Sequence, residues 1–306
     1  MSLLNFRRSA PVHVPQNMQI IDLMKGYSIE VIPRTAEKIS DFRELLPAGT
    51  RVYIAHIEGT PIADMTATAA RLRKEGMEPM PHFPARIIAN RAELADWVAR
   101  YQGEADIREA LMLGGNGTTP KGDYENSMQL LDTGLFDGFR RLHVAGHPEG
   151  NRDIASDGGQ DIILEALRWK QEFAREKGVD MAIVTQFAFE AKPIITWAQV
   201  LRDQGIELPV HLGVAGPAKL QTLIKFAIAC GVGPSMKVLQ KRAKDVSKLL
   251  MPFEPTGLVT DLAAHKAANP DFAVEKLHFF PLGGIKASSD WSIAHGGPSS
   301  QPAVQP

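Results

Sequence analysis

Residues 180–205 read DMAIVTQFAFEAKPIITWAQVLRDQG, and they hold a strand and a helix in succession. An apolar run from Met181 to Phe189 has the length and the β-branched and aromatic content of a buried strand. The segment KPIITWAQVLRDQG that follows has apolar residues at helical spacing. A second apolar run, LPVHLGV at 208–214, begins directly after it, so this stretch predicts a βαβ unit. The same alternation extends in both directions. Strand-like runs occur at 27–32 (YSIEVI), 51–57 (RVYIAHI), 78–83 (EPMPHF), 109–115 (EALMLGG), 140–146 (RRLHVAG) and 277–284 (LHFFPLGG), which brings the total to eight. Helical patterns such as IADMTATAARLRKEG, RAELADWVARY, DYENSMQLLDTG and QDIILEALRWKQEFAREKG lie between them.

Eight such units predict a closed parallel (β/α)8 TIM barrel, because closure removes the edges that an open sheet must protect. An open doubly wound sheet is the alternative, but the glycine fingerprint GxGxxG does not follow the first strand. Three helical segments, broken at GVGPS and MPFEPTG, occupy about Pro217 to Ala268 before the last strand, as an elaboration of the barrel. The barrel domain is assigned to 21–291. Residues 1–20 form an N-terminal segment of little periodicity, and 292–306 have the Gly, Pro, Ser and Gln bias of a disordered tail.

A hydrophobic fraction of 44% with 23% charged residues is enough to bury a core in 306 residues, and no linker divides the chain. Lys and Arg number 34 against 35 for Asp and Glu, with no basic block, which argues against a nucleic-acid partner. Cys230 is the only cysteine, which excludes an intrachain disulfide and a cysteine zinc site; its apolar setting reads as a core thiol. No run approaches a membrane span, and the Arg7–Arg8 pair is not followed by an apolar segment, so a cytoplasmic protein is expected.

Barrel chemistry takes place at strand C-termini and the loops after them. The polar residues there are Glu30, His56, Glu58, His82, Asn116, His147, Glu149, Gln186 and His211. Glu30 interrupts an apolar strand, where a carboxylate is costly unless paired or used. It reads either as an ion-pair partner of Arg34 or as a general acid whose pKa burial has raised. His56, His82 and His147 end three different strands, but no HxH or HExxH spacing fixes two ligands on one element. Single polar contacts to a ligand are therefore expected rather than a metal site, and a metal-dependent hydrolase is the competing reading. The glycine-rich loop LGGNGTTPKGD at 113–123 would let backbone amides approach a phosphate or a flat ring, though it lacks the Walker order. By strand alternation Gln186 shares a side with Val184 and Ala188, and an amide at a barrel mouth suits a heterocycle edge.

Taken in order, IEVIPRTAEK (29–38), MPHFPAR (80–86), VAGHPEG (144–150), TQFAF (185–189) and LHFFPLGG (277–284) resemble the methylenetetrahydrofolate reductases from about Tyr27 to Trp291. The resemblance implies a homo-oligomeric barrel that interconverts 5,10-methylenetetrahydrofolate and 5-methyltetrahydrofolate, with hydride exchanged with NAD(P)H, usually through FAD. It implies that Glu30 is the acid and that Gln186 and Phe187, with Asn116, contact the folate. His56, His82, Gly114, Gly115, His147 and Asn151 fall at cofactor positions. The departures are specific. The family's LRGD is here LGGN, so Gly114 stands for an arginine and Asn116 for an aspartate; His147 replaces the aromatic before PEG, and Asn151 a histidine after it. Together they predict altered, weakened or absent FAD binding, direct hydride transfer between nicotinamide and folate, and an open direction of reaction. A non-redox barrel that binds folate or transfers a methyl group is the third reading.

Overall fold

The computed structural model describes residues 16–117, 119–151, 153–155, 159–229, 239–240 and 251–299; Cys230 and the break at GVGPS lie outside them. Eight parallel strands form a closed barrel in sequence order: β1 (Ser28–Val31), β2 (Arg51–Ile54), β3 (Glu78–Pro84), β4 (Glu109–Leu113), β5 (Arg141–Gly146), β6 (Asp180–Ala188), β7 (Val210–Ala215) and β8 (Val274–Phe280). β8 closes on β1 through Ser28 opposite His278 and Ile29 opposite Phe279.

The described helices are α1 (Gln16–Met24), α2 (Pro33–Ala36), α3 (Ile62–Lys74), α4 (Arg91–Ala105), α5 (Ser127–Asp132), α6 (Asp161–Lys177), α7 (Ala191–Asp203), α8 (Leu220–Ala229), α9 (Thr256–Ala268) and α10 (Ile285–Ala294). Local chemistry sets several of their ends. Asn90 caps α4 by accepting from the Glu93 N–H, and Asn126 with Gln129 forms a capping box on α5. Gly178 stops α6 in the left-handed conformation. The extra segment before the last strand is present as α8 and α9, and the end of MPFEPTG already belongs to α9; before it, Phe253 pairs antiparallel with Ala218.

Several boundaries differ from the sequence reading, and three of them have a visible cause. β8 begins at Val274 and ends at Phe280, because Pro281 has no N–H for the ladder and 283–284 turn into α10. α1 crosses the 20/21 boundary, burying Leu23 and Met24 while it packs on α9 and β8. α10 continues to Ala294, past the boundary drawn at 292, because Trp291 and Ser292 are buried.

Among the described residues the apolar core has three parts. The largest lies between strands and helices, with Ile29, Val52, Phe83, Met112, Val144 and Ile183 turned outward into it, and a second joins Phe187 and Phe189 to Leu220, Leu223 and Phe253. Inside the barrel a smaller cluster of Tyr53, Met80, Leu111 and Val184 shares the space with buried His143, His211 and His278. Below these, the first residues of five successive strands are charged: Arg51, Glu78, Glu109, Arg141 and Asp180. Their parity with the inner cluster turns them toward the barrel axis.

Candidate active site

Glu30 lies toward the C-terminal end of β1, and two imidazoles face it. His82 of β3 brings Nε2 to 3.4 Å from Glu30 Oε2, and His278 of β8 brings Nε2 to 3.9 Å from the same oxygen. The Glu30 side chain is 20% exposed, so it remains reachable from the mouth. Burial by itself would push its pKa up, but the facing His278 and His82 outweigh burial and hold the carboxyl below its ordinary value. At 3.9 Å the His278 contact is a charge–dipole approach rather than a short hydrogen bond. This corrects the expected raised pKa: Glu30 rests as a carboxylate at neutral pH. The Arg34 pairing is not formed either, since Arg34 is exposed and the partners of Glu30 are imidazoles.

His82 is buried, and its pKa is pushed down to about 4, chiefly by burial against an opposing effect of Glu30. It is therefore neutral at pH 7, and its Nε2 makes no hydrogen bond among the described residues. Ser28, two residues before Glu30 and on the same face of β1, places Oγ 2.9 Å from His278 Nδ1. Deeper in the barrel Tyr53 OH lies 2.5 Å from His143 Nδ1, the His143 and His211 rings are 4.8 Å apart, and His211 Nε2 is 3.5 Å from Glu275 Oε2. Burial pushes His143 and His211 below the usual imidazole value, so this column of rings is held neutral.

Gln186 lies toward the same end of the barrel as Glu30, in a bulge of β6. The β6–β7 pairing passes from Val184 opposite His211 to Phe187 opposite Gly213, which puts one extra residue into β6. The Thr185 hydroxyl donates to the Gln186 carbonyl at 2.8 Å and accepts from the Gly213 N–H at 2.9 Å. A Cβ on Gly213 would lie 2.5 Å from the Thr185 oxygen, so only glycine allows this approach. The bulge also breaks the expected alternation: Val184 belongs to the inner cluster, whereas Ala188 joins the core outside the barrel. Gln186 is half-buried, and its Oε1 accepts from the Phe187 N–H at 3.3 Å. Phe187 is fully buried and packs edge-on against Phe280, 5.3 Å between ring centres. The half-buried Phe280 in turn meets His278 at 4.9 Å.

The other expected residues disperse. His56 turns outward, stacking near Trp97 of α4 at 4.5 Å, with its Nε2 3.0 Å from the Thr60 carbonyl. His147, in the loop after β5, lies 3.5 Å from the Asn151 amide, and burial beside Lys170 pushes it down to about 4. Since His56 and His147 turn to different neighbours, they form no triad with His82; among the described residues no three His, Cys, Asp or Glu side chains are grouped to hold a metal. The hydrolase reading loses its site.

Asn116 is exposed on the loop after β4. That loop carries an arginine contact from elsewhere. Arg86, just after β3, donates from its guanidinium to the carbonyls of Gly115 (3.1 Å) and Gly117 (2.5 Å), and a Cβ on Gly114 would lie 3.7 Å from its Cζ. Two loop carbonyls thus engage this guanidinium beside the uncharged Asn116.

Reasoning from strand ends missed Ser28, Tyr53, His143, His278 and Arg86. For two of them a signal was available: Ser28 shares a face with Glu30, and His278 shares one with Phe280.

No family model matches the chain. A solved structure does share the architecture. The chain is similar to an uncharacterized protein from Clostridium thermocellum that binds two copies of 5-methyl-5,6,7,8-tetrahydrofolic acid. The match has a TM-score of 0.55 at 11% identity and covers 92% of this chain and 98% of that one. At that identity the match shows a common fold. Among the described residues, no helix is long and apolar enough to cross a membrane.

Proposed function

We propose that the chain binds a reduced folate at the barrel mouth and interconverts its 5-methyl and 5,10-methylene forms, exchanging hydride with a nicotinamide cosubstrate. The observation that carries this reading is the ionised, partly exposed Glu30 beside His82 and His278, at the same barrel end as the Gln186 amide and the Phe280 ring. The ligand recorded for the C. thermocellum protein supports the ligand class, and the motif resemblance supports the reaction.

A carboxylate at rest suits the oxidative direction. Hydride leaves the 5-methyl group of the folate for the oxidised nicotinamide, giving a 5-iminium cation. The N10 lone pair then attacks the iminium carbon, the C–N10 bond forms, and the N10 proton passes to Glu30. In the reductive direction the same carboxyl returns that proton as the acid. Gln186 would read the pterin edge through its amide, with Asn116 and Phe187 at the periphery. No step is routed through FAD, because Gly114, Asn116, His147 and Asn151 depart from the residues that the resemblance places beside the flavin. The working assembly is a homo-oligomer, on the same resemblance.

The test is to mix purified protein with 5-methyltetrahydrofolate and NAD or NADP and follow nicotinamide absorbance, with calorimetric titration of the folate alone. Folate-dependent reduction of nicotinamide supports the reading; saturable folate binding without hydride transfer supports the non-redox barrel; neither signal overturns both.

A further inference from the structure

We propose that Ser28 and His278 form a positioning pair that presents an imidazole N–H to Glu30 and keeps its carboxylate ready to accept a proton. The proposal rests on the mouth being the site of proton transfer, and it is independent of which ligand binds there.

The closure of the barrel creates the pair. β8 pairs with β1 so that Ser28 lies opposite His278, and Glu30 stands two residues further along the same face. Ser28 and His278 are each 1% exposed, so their contact excludes water. A hydroxyl can donate or accept, and the Glu30 carboxylate facing Nε2 favours the ring hydrogen there, which leaves Nδ1 to accept from the Ser28 hydroxyl across 2.9 Å. With Nδ1 engaged as the acceptor, Ser28 keeps the ring hydrogen on Nε2, the atom that faces Glu30 Oε2. The opposite tautomer would turn a lone pair toward the carboxylate and work against its charge. The ring is also clamped in place. Tyr53 packs against it at 4.5 Å between centres and Phe280 at 4.9 Å, both edge-on, so the imidazole has no room to swing away.

The groups that face Glu30 come from each neighbouring element: Tyr53 from β2, His82 from β3 and His278 from β8. Tyr53 is held as a neutral phenol by burial, and His82 is neutral at pH 7. His278 is the one whose hydrogen is oriented by a second, fully buried side chain. Ser28 therefore acts on Glu30 through His278 without touching it.

The test is a carbon-detected titration of protein labelled at the glutamate side-chain carboxyls, with the Glu30 signal assigned by its loss in Glu30→Gln. Wild type is compared with Ser28→Ala, Ser28→Thr, His278→Asn and His278→Gln. Ser28→Ala and His278→Asn should raise the Glu30 midpoint by about one pH unit, a tenfold change in its ionisation equilibrium. Ser28→Thr keeps the hydroxyl, and His278→Gln places an amide N–H near the position of Nε2, so both should stay close to wild type. A midpoint unmoved in Ser28→Ala overturns the proposal. If His278→Asn fails to fold, Ser28→Ala, which removes one oxygen, decides alone. Where a folate-linked turnover is measurable, its acidic limb should move with the midpoint. A shifted midpoint in a protein that turns over no folate keeps the pair and removes the folate reading.

Discussion

At the N-terminal end of the barrel Glu109 meets Arg51 at 2.8 Å, Arg140 at 2.9 Å and Arg141 at 3.4 Å; at the C-terminal end Glu30 meets the imidazoles of His82 and His278. Both are carboxylates on inward-facing strand positions, and both are held ionised. They differ in what holds them. Around Glu109 the guanidiniums extend into a network, since Arg140 and Arg73 also bind Glu78 and Arg141 binds Asp180. The charges there are paired with one another, although Arg73 Nε has no hydrogen-bond partner among the described residues, and the Glu109 side chain is 1% exposed. Around Glu30 the neighbours are titratable, one imidazole nitrogen is unsatisfied, and the carboxylate remains partly open. The lower end seals the barrel, while the upper end keeps unspent hydrogen-bonding capacity where a ligand would arrive.

Two substitutions with the same chemistry separate the ends. Glu30→Gln keeps shape and removes the transferable proton, so folate turnover should fall by about 10² to 10⁴ while folate still binds and melting is nearly unchanged. Steady-state assay with calorimetry checks this, and near-normal turnover would remove Glu30 from the chemistry. Glu109→Gln should do the reverse. Leaving half-buried Arg51 without its anion costs up to about 3–5 kcal/mol, to be read as a lowered urea midpoint, with turnover per folded molecule preserved.

Acidification sharpens the contrast. His82 and His147 have folded-state pKa values near 4, below the 6.5 of an unfolded histidine, so the unfolded chain binds more protons between those limits. Their penalty is absent above about pH 6.5 and grows as pH falls toward 4, up to about 1.4 kcal/mol per pH unit for each histidine. Urea midpoints at several pH values should fall across that window, and His82→Gln should flatten the fall. An equally steep fall in the variant would show that His82 does not carry it. The smallest expected effect is none: leaving FAD out of the assay should not change nicotinamide-linked turnover, and tightly held FAD that is required for activity would refute this.

Much of the architecture was legible because strand and helix differ in period. All eight strands were located, and the one poorly placed, β8, starts with VEK, whose charged Glu275 and Lys276 mask the buried Val274 before them. The site was less legible. Glu30, His82 and Gln186 were singled out because polar residues at strand ends are conspicuous, and the first two lie together in the structure. Ser28 and His278 became meaningful only when closure set β8 beside β1, a contact between residues 250 positions apart. The direction of the Glu30 pKa could not be read either, since burial was apparent in the sequence but the facing imidazoles were not. His56 misled because a strand-end position does not say whether the ring turns inward or toward α4.

The bulge in β6 and the glycine opposite it depend on each other. The extra residue near Gln186 brings backbone oxygens to a distance that no Cβ at 213 tolerates, and Gly213 in turn donates the N–H that Thr185 needs. In any related chain the two features should therefore be gained or lost together. A side chain at the position of Gly213 would mark a β6 one residue shorter, with every residue after Thr185 turned to the opposite face of the strand.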